Sequence, residues 1–571
     1  GEGFYFNKVS YNQNTSVDFT INKANTSITA PEVEMVQMGA NALAHPYSIL
    51  VNGSTLTTNA IYGYSLNKDV LSLSIFPTNG NLNVKLQPLA DASNPFNANY
   101  MNVAYVKCSY DRTTDFTGES LPKKIYLDQN NSKYVVNFTS VSASNPLLYV
   151  IDNDTVHTMV LNNNNGNFNV LIPAFNGKSN MLLLDNSQVY YANGNVTIES
   201  VNKDPNPNSY ARFNNYKLSG ATADFLIVSH RSLWTGANAY ATYRASKGYS
   251  PLLVDVNELY DQFAWGIRQH PQAIRSFSDF MIDNASGYPK YLLLLGKGIM
   301  LTDARSGLGH SLNFVPTWGE PSSDQLFTSK LNTNQFIPEL ATGRIAATSN
   351  DDITNYLNKL IEFESNQMQP PALWMKNVLH FGGGTDLNEQ NILASKLDAY
   401  AQVIEDTLFG GNVYTFLKNS SAPIQINQSQ YLQSLIDSGS TMMTFYGHAA
   451  GTSFDISTDA PENYNNKGKY PVVLAQSCYV GDIFTTSKLL NERFVLTPDK
   501  AAIGFIAVPD KGIIEDLDSY STELHQQLFR TNYGKGVGVC MKNTVSTLMN
   551  ANPGYKNVCM CMTMQIGRAH V

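Results

Sequence analysis

The stretch Met442-Met443-Thr444-Phe445-Tyr446-Gly447-His448-Ala449-Ala450-Gly451 decides the fold. Its apolar run stops abruptly at a glycine, which is the pattern of a strand that is buried on both faces and ends at the rim of a sheet. A second run, residues 471–476, stops in the same way at Ser477-Cys478-Tyr479-Val480-Gly481-Asp482. Ligands of open α/β sheets collect at the carboxyl ends of the strands, so the pattern predicts that both strand ends lie at one rim.

Continuous apolar runs recur through residues 220–550 and alternate with segments of helical periodicity. Strands that are buried on both faces and separated by helices indicate a mostly parallel sheet, so this region is predicted to form a doubly wound α/β domain. It contains neither GxGxxG after its first strand nor GxxxxGK[ST], and a nucleotide-binding role therefore has no support. The predicted strands lie at 225–228, 252–256, 291–295, 378–381, 442–446, 472–475 and 501–508, and predicted helices include 238–247, 271–282, 351–364 and 388–408.

Residues 1–205 are predicted to be β-rich throughout. Asn-Gly fits the positive φ angles of two-residue hairpin turns, so its repetition favours antiparallel sheets and one or two β-sandwich-like units. A turn-rich linker at 203–209 marks the change to the α/β domain. The Asn-Gly pairs stand at 52–53, 79–80, 165–166, 176–177 and 193–194.

The totals exclude several classes of protein. The chain has 571 residues, a net charge of −8, 43% hydrophobic residues and 15% charged residues. It has no cluster of Lys and Arg, so a nucleic-acid partner is not expected. It also has no run of eighteen apolar residues, so no transmembrane segment is predicted in this fragment. The chain begins at Gly1 without a signal peptide, which is expected of a fragment or a processed product, and residues 565–571 are expected to be an adapter-derived tail.

His448 and Cys478 are the predicted catalytic residues. A cysteine nucleophile needs an imidazole nearby, because His⁺ stabilises the thiolate and later supplies a proton to the leaving group. Either residue alone is more often structural, but their joint placement after two predicted strands favours catalysis. The reaction expected is acyl transfer, with the backbone N–H groups of Ala449 and Cys478 as oxyanion donors.

The residue that orients the histidine is left open. Asp386, Asp455, Asp459 and Glu462 are all candidates. Gly447, Asp455 and Asp482 are the residues expected to orient the dyad or line its pocket, although Asp482 also fits a cap on the following turn. No metal site is predicted.

The motifs Gly447-His448 and Cys478-Tyr479-Val480-Gly481-Asp482 resemble those of the gingipain-type cysteine peptidases, which have a caspase-like fold. Gln476-Ser477-Cys478 is also similar to the caspase pattern Gln-Ala-Cys. Further stretches resemble the sortases of the type IX secretion system, which belong to the gingipain family. These stretches are 223–230, 260–263, 273–275, 291–298 and 342–345.

The resemblance implies a cysteine peptidase or transpeptidase that acts on exported proteins and removes C-terminal secretion signals. It implies a secreted protein, or one at the outer-membrane surface of a Gram-negative bacterium, with protein or peptide substrates and an outer-membrane secretion partner. No cofactor is required. A structural calcium carried over from the family to the loop after the central strand is not supported, because Gly296-Lys297-Gly298 stands where the family commonly has an acidic residue. The alternative is a non-catalytic caspase-like scaffold that binds cargo or an outer-membrane partner.

Overall fold

The structure divides into two compact units, Gly1–Ile198 and Glu199–Val571. It is a computed structural model. It describes residues 8–25, 31–41, 43–63, 65–74, 80–90, 99–152, 155–161, 164–189, 213–329, 336–426, 429–458 and 460–565. The linker predicted at 203–209 and residues 566–571 of the predicted tail lie outside these ranges.

The first unit is built from antiparallel β-strands. β1, β8, β3 and β6 form one sheet, β2, β7, β4 and β5 a second, β12, β11, β14 and β9 a third, and β10 pairs with β13. The strands are β1 (Val9–Ser10), β2 (Thr15–Thr20), β3 (Glu32–Gly39), β4 (Ala44–Val51), β5 (Ser54–Tyr62), β6 (Leu66–Ser72), β7 (Asn81–Pro88), β8 (Tyr100–Ser109), β9 (Lys123–Asn130), β10 (Tyr134–Phe138), β11 (Pro146–Asp152), β12 (Thr155–Val160), β13 (Phe168–Ile172) and β14 (Asn176–Asp185).

Two hydrophobic cores give this unit a sandwich-like construction. Val33 and Met101 of the first sheet pack with Ile49 and Leu86 of the second. A separate cluster joins residues of the third sheet to those of the β10–β13 pair. Burial alternates along β7, whose apolar face packs into the core while its polar face is more exposed.

The second unit is a ten-stranded sheet with helices. Its strands are β15 (Phe225–Ser229), β16 (Pro251–Asp255), β17 (Tyr291–Leu295), β18 (Ala341–Ile345), β19 (Asn377–Gly382), β20 (Asn412–Leu417), β22 (Met442–Tyr446), β26 (Val472–Gln476), β27 (Gly504–Ala507) and β28 (Thr563–Gln565), and four short strands lie outside the sheet: β21 (Gln425–Ile426), β23 (Ala449–Ala450), β24 (Ser453–Phe454) and β25 (Ile456–Ser457). The helices are α1 (Tyr216–Ser219), α2 (Trp234–Ser246), α3 (Val256–Phe263), α4 (Gln272–Asn284), α5 (Leu301–Ser306), α6 (Asn350–Gln367), α7 (Leu387–Ile404), α8 (Gln430–Ser438), α9 (Leu490–Leu496), α10 (Ile514–Gln526), α11 (Val537–Ala551) and α12 (Lys556–Cys561).

The strand order in this sheet is β16-β15-β17-β18-β28-β27-β26-β22-β19-β20. Every neighbouring pair is parallel except β27 and β28. All residues of β17, β22 and β26 are buried, since helices pack on the sheet and leave these strands without a solvated face. The predicted fold class, a β-rich region followed by a mostly parallel α/β sheet, is therefore confirmed in its architecture.

Two details differ from the prediction. Asn52 and Gly53 form the two-residue hairpin turn between β4 and β5, both with positive φ, but Asn176-Gly177 lies inside β14 and pairs with β9. Gln565, expected to begin a tail, ends β28 and is paired with Arg344 and Phe505. In the described part of the chain no helix is long and apolar enough to cross a membrane.

Candidate active site

Two neighbouring strands bring the predicted dyad to one edge of the sheet. β22 and β26 are parallel, and Tyr446 is the register partner of Gln476. His448 and Cys478 each stand two residues beyond this pair. Adjacent strands are about 4.8 Å apart, so the two residues follow strand ends that lie side by side. The N–H of Gly447 donates to the carbonyl of Gln476 over 3.3 Å, which joins the two strand ends directly.

Gly447 is required by the close approach of other groups. A Cβ at this position would lie 2.6 Å from Oδ1 of Asp455 and 2.9 Å from Cα of Gly383. Neither neighbour can withdraw easily, because Gly383 contributes backbone and Asp455 is buried. A side chain here would displace the strand end that carries His448.

The side chain of His448 is about half exposed and is held by Glu389. Its Nε2 lies 2.8 Å from Oε1 of Glu389, and the exposed fractions of the two side chains are 49% and 19%. A carboxylate can only accept, so Nε2 carries the proton of this bond. Nδ1 is then the ring nitrogen that can exchange a proton with another group.

Glu389 occupies the third position of α7, whose N-cap is Asp386. The N–H of Glu389 donates to Asp386 over 3.0 Å, and Thr385 donates to Oε2 of Glu389 through its N–H at 2.6 Å and its hydroxyl at 2.7 Å. Partial burial raises the pKa of Glu389, but the hydrogen bonds from Thr385 and His448 outweigh it and lower that pKa below its ordinary value. Glu389 is therefore a fixed, ionised partner for the imidazole.

Cys478 is partly exposed and contacts the backbone of one residue. The N–H of Gly512 donates to Sγ over 3.3 Å, and the thiol donates to the carbonyl of Gly512 over 3.7 Å. The sulfur and the imidazole thus each bond to a third group rather than to one another. Hydrogen bonds between catalytic groups are commonly long before substrate binds, so this geometry is compatible with a dyad.

The loop that carries Cys478 turns sharply and packs on the backbone of residues 507–510, at the end of β27 and just beyond it. Tyr479 has φ of 60°, an uncommon left-handed conformation for a residue with a side chain. The N–H of Tyr479 donates to Asp510 and that of Gly481 to Val508, both over 2.9 Å. A Cβ on Gly481 would lie 2.6 Å from the carbonyl of Ala507, which is why a glycine stands there.

Asp455 contacts the backbone of His448, not its ring. Its N–H donates to the carbonyl of His448 over 2.8 Å, while its Oδ2 accepts from the N–H of Gly384 at 2.8 Å and lies 3.7 Å from Nζ of Lys418. Lys418 and Asp455 are both buried. Asp455 therefore supports the hairpin formed by β23 and β24, which follows His448.

The other predicted carboxylates are engaged elsewhere. Asp482 is buried and accepts from the N–H of Phe484 at 3.0 Å, and this burial raises its pKa despite the hydrogen bond and the nearby Lys297. Asp386 caps α7, and Glu462 binds Arg493 through two contacts of 2.6 Å. Asp459 lies outside the described residues.

Lys297 lies in the loop after β17, where the family resemblance would place a calcium ligand. Its ammonium lies 2.7 Å from Oε1 of Glu492 and donates to the carbonyl of Ser487 over 3.1 Å, and both charged side chains are buried. Among the described residues, no three His, Cys, Asp or Glu side chains come together in a way that could hold a metal ion.

A buried polar layer lies beneath the two strand ends. The ring of His525 stacks on that of Tyr400 with centroids 4.6 Å apart, and Tyr400 donates to Asp518 over 2.6 Å. Gln476, two residues before Cys478, donates to the hydroxyl of Tyr400 over 3.3 Å. Burial lowers the pKa of His525 to about 4, and burial together with the neighbouring His525 lowers that of His380 to about 3. Both imidazoles are therefore neutral at pH 7.

Sequence reasoning missed Glu389 as a functional residue. Its signal is the pattern Thr385-Asp386 followed by Glu389 at a helix start, directly after the apolar run at 378–381. β19, which this run forms, is the neighbour of β22, and α7 therefore begins beside the end of the His448 strand. The arrangement places a thiol, an imidazole and a carboxylate at one sheet edge, and these are the types of group that thiol-dependent acyl transfer uses.

Comparisons with known proteins agree with this description. The model of the family described as Peptidase family C25 matches residues 219–567. The Arg specific cysteine proteinase gingipain R (RGPB) aligns with a TM-score of 0.50 at 13% identity, over 62% of this chain and 78% of that chain. The dimeric latent PorU from Porphyromonas gingivalis aligns with a TM-score of 0.42 at 14% identity, over 64% of this chain and 36% of that chain. The likeness to gingipain R confirms the caspase-like fold. No match was found among curated proteins.

Proposed function

The chain belongs to peptidase family C25, the gingipain family of cysteine peptidases, and from this premise we propose that it cleaves peptide bonds with Cys478 as nucleophile and His448 as proton carrier. The observation that carries the proposal is the hydrogen bond between His448 and Glu389 beside the strand that presents Cys478. A Cys–His pair with a third group that orients the base is the general arrangement of an activated thiol.

The first step is acylation of the sulfur. The thiol passes its proton to Nδ1 of His448, the thiolate attacks the scissile carbonyl carbon, and a C–S bond forms. The C–N bond then breaks, and the imidazolium returns the proton to the leaving amine. Glu389 keeps Nε2 protonated, and its Oε1, 2.8 Å from Nε2, stabilises the positive charge that develops on the ring.

Two backbone groups would receive the oxyanion. Asp455 donates to the carbonyl of His448, so Ala449 occupies the next, non-hydrogen-bonded position of the β23–β24 ladder, opposite Phe454. Residues at such positions direct their N–H away from the partner strand, which leaves the N–H of Ala449 available. The N–H of Cys478 would be the second donor, and each is worth about 3 kcal/mol of barrier in other proteases.

The nucleophile that attacks the acyl-enzyme decides the product and therefore the biological role. Attack by water gives hydrolysis, and attack by an amine gives transpeptidation. The sequence similarity to type IX secretion sortases supports a role in processing exported proteins by removal of their C-terminal secretion signals, at the outer-membrane surface or outside the cell. Mass spectrometry of the products with and without an added amine distinguishes the two outcomes, because only transpeptidation yields an amine adduct.

Replacement of the nucleophile tests the proposal. Cys478→Ala is expected to reduce cleavage of a peptide library by at least about 10⁴-fold and to leave the thermal unfolding temperature nearly unchanged, since only a partly exposed thiol is lost. Cys108→Ala, in the first unit, is the matched control and should retain full activity.

Thiol labelling gives an independent check. Burial raises the pKa of Cys108 to about 11 and that of Cys540, Cys559 and Cys561 to about 12, and such thiols react slowly at neutral pH. Iodoacetamide should therefore label Cys478 first. A Cys478→Ala chain that still cleaves peptides would refute the proposal, and a chain that binds cargo without cleaving any peptide would be a scaffold.

A further inference from the structure

The backbone of Gly512 makes two contacts with one sulfur. Its N–H points at Sγ of Cys478 with N and S 3.3 Å apart, and its carbonyl oxygen lies 3.7 Å from the same sulfur. One peptide group acts as the donor and the next as the acceptor. Gly512 lies in the segment between β27 and α10, which the sequence motifs of the dyad do not include.

The segment that presents Gly512 is fixed on two sides. On the side of the Cys478 loop, its Val508 and Asp510 carbonyls accept from Gly481 and Tyr479, both over 2.9 Å. On the other side it lies against α10, because a Cβ on Gly512 would be 2.5 Å from Cδ1 of Leu517. Leu517 is itself buried in the hydrophobic core. The peptide groups of Gly512 therefore cannot retreat from the sulfur without disturbing either contact.

We propose that Gly512 holds the sulfur of Cys478 in place in both protonation states and that its N–H stabilises the thiolate. The inference rests on the proposed role of Cys478 as the nucleophile. In the thiol, the S–H donates to the carbonyl of Gly512. When this proton moves to His448, the sulfur becomes an acceptor only, and the N–H bond from Gly512 gains strength because charge-assisted hydrogen bonds are about twice as strong as neutral ones. The sulfur thus ionises without moving.

The dependence of Cys478 alkylation on pH tests this role. Gly512→Pro removes the N–H, whereas Gly512→Ala keeps it and adds the same Cβ, so the two variants form a matched pair when both are made in a Leu517→Ala background that leaves room for this Cβ. The iodoacetamide rate at Cys478, followed by peptide mass spectrometry from about pH 5 to about pH 10, should reach its midpoint about one pH unit higher in Gly512→Pro than in Gly512→Ala. Equal midpoints in two folded variants would overturn the inference.

Amide hydrogen exchange provides a second measurement that does not depend on the fold of the proline variant. In Cys478→Ala the Gly512 N–H loses its acceptor, so its exchange should become about tenfold faster. The N–H groups of Tyr479 and Gly481, which donate to carbonyls, should exchange at unchanged rates. An unchanged Gly512 rate would contradict the proposal. Neither readout requires peptidase activity, so a chain that shows both effects but cleaves nothing would contradict the proposed function and not this inference.

Discussion

The ends of β22 and β26 each hold a reactive side chain in place, but by different kinds of contact. At the end of β22, the imidazole of His448 is held by a side chain, Glu389, which comes from the start of a helix. At the end of β26, the sulfur of Cys478 is held by the backbone of Gly512. The first contact depends on the identity of a single residue, whereas the second depends on the path of a loop.

This difference predicts which mutations will break the contact at each strand end. A side-chain contact is lost when one residue is replaced, and the loss is local. A backbone contact survives most replacements and is lost only when the loop moves or its N–H is removed. The polar layer lies under both strands, because Tyr400 stacks on Tyr446 of β22 and accepts from Gln476 of β26. The His448 hairpin has a further support of its own, the buried pair of Asp455 and Lys418.

The largest effect is expected from removal of the support under the His448 end. Asp455→Ala leaves the ammonium of Lys418, which is 1% exposed, without its carboxylate. Breaking a buried ion pair from one side typically costs about 3–5 kcal/mol of unfolding free energy. Denaturant unfolding followed by tryptophan fluorescence should show the loss in the second unit alone, since all four tryptophans, at positions 234, 265, 318 and 374, belong to it.

A control variant shows how much stability an ordinary capping carboxylate contributes, for comparison with the Asp455–Lys418 pair. Asp386→Ala removes an exposed N-cap from α7 and should cost only about 1 kcal/mol. If Asp455→Ala cost no more than Asp386→Ala, the pair with Lys418 would not support the hairpin. If the Asp455 variant also slowed iodoacetamide labelling of Cys478 at low denaturant, the two strand ends would not be independent.

The buried layer beneath both ends predicts acid sensitivity. Burial lowers the pKa of His525 to about 4, well below its ordinary value, so between pH 6.5 and that pKa the unfolded chain binds the extra proton. Stability is therefore fully present above about pH 6.5 and falls as the pH decreases, by about 2.5 kcal/mol at about pH 4.5. His525→Phe should make this dependence shallower when unfolding free energies are measured across the range, and His380, whose pKa burial lowers to about 3, should account for a slope that remains.

The control for this titration is an exposed histidine. His310→Phe changes a residue at the surface and should leave the slope of stability against pH as it is in the wild type. Parallel slopes for wild type and His525→Phe would exclude His525 as the source of acid sensitivity. Because the layer lies under both strands, acid should weaken the two ends together.

The apolar runs made the sheet predictable, and the exceptions have physical causes. β18 was not predicted as a strand because it carries Arg344, a charged residue that is fully buried. Its guanidinium is satisfied by Asp324 and by the carbonyls of Gly296, Val315 and Pro316, and no hydropathy pattern reports such a partner set.

The candidate site also contains residues that the sequence predicts and residues that it does not. His448 and Cys478 could be found because each follows an apolar run and lies among glycines. The signal of Glu389 predicts a helix start but not a contact with His448, since Glu389 precedes His448 by 59 residues and has the pattern of an ordinary capping residue. The contact of Gly512 is made by backbone atoms, which every residue type except proline offers equally, so the sequence contains no signal for it.

The smallest effect is expected at the side-chain contact itself. Glu389→Gln keeps the size of the side chain and removes its charge, so the imidazolium formed during acylation loses its stabilising partner. A buried orienting aspartate can contribute about 10⁴-fold, but this pair is partly exposed and screened by solvent, so we expect kcat to fall about 30-fold with little change in KM. Asp386→Asn, at the same helix end, also removes one charge and does not contact His448, so it should retain nearly full activity. If kcat fell equally in Glu389→Gln and Asp386→Asn, the total charge at the start of α7 would stabilise the imidazolium. The direct contact between Glu389 and His448 would then have no special role.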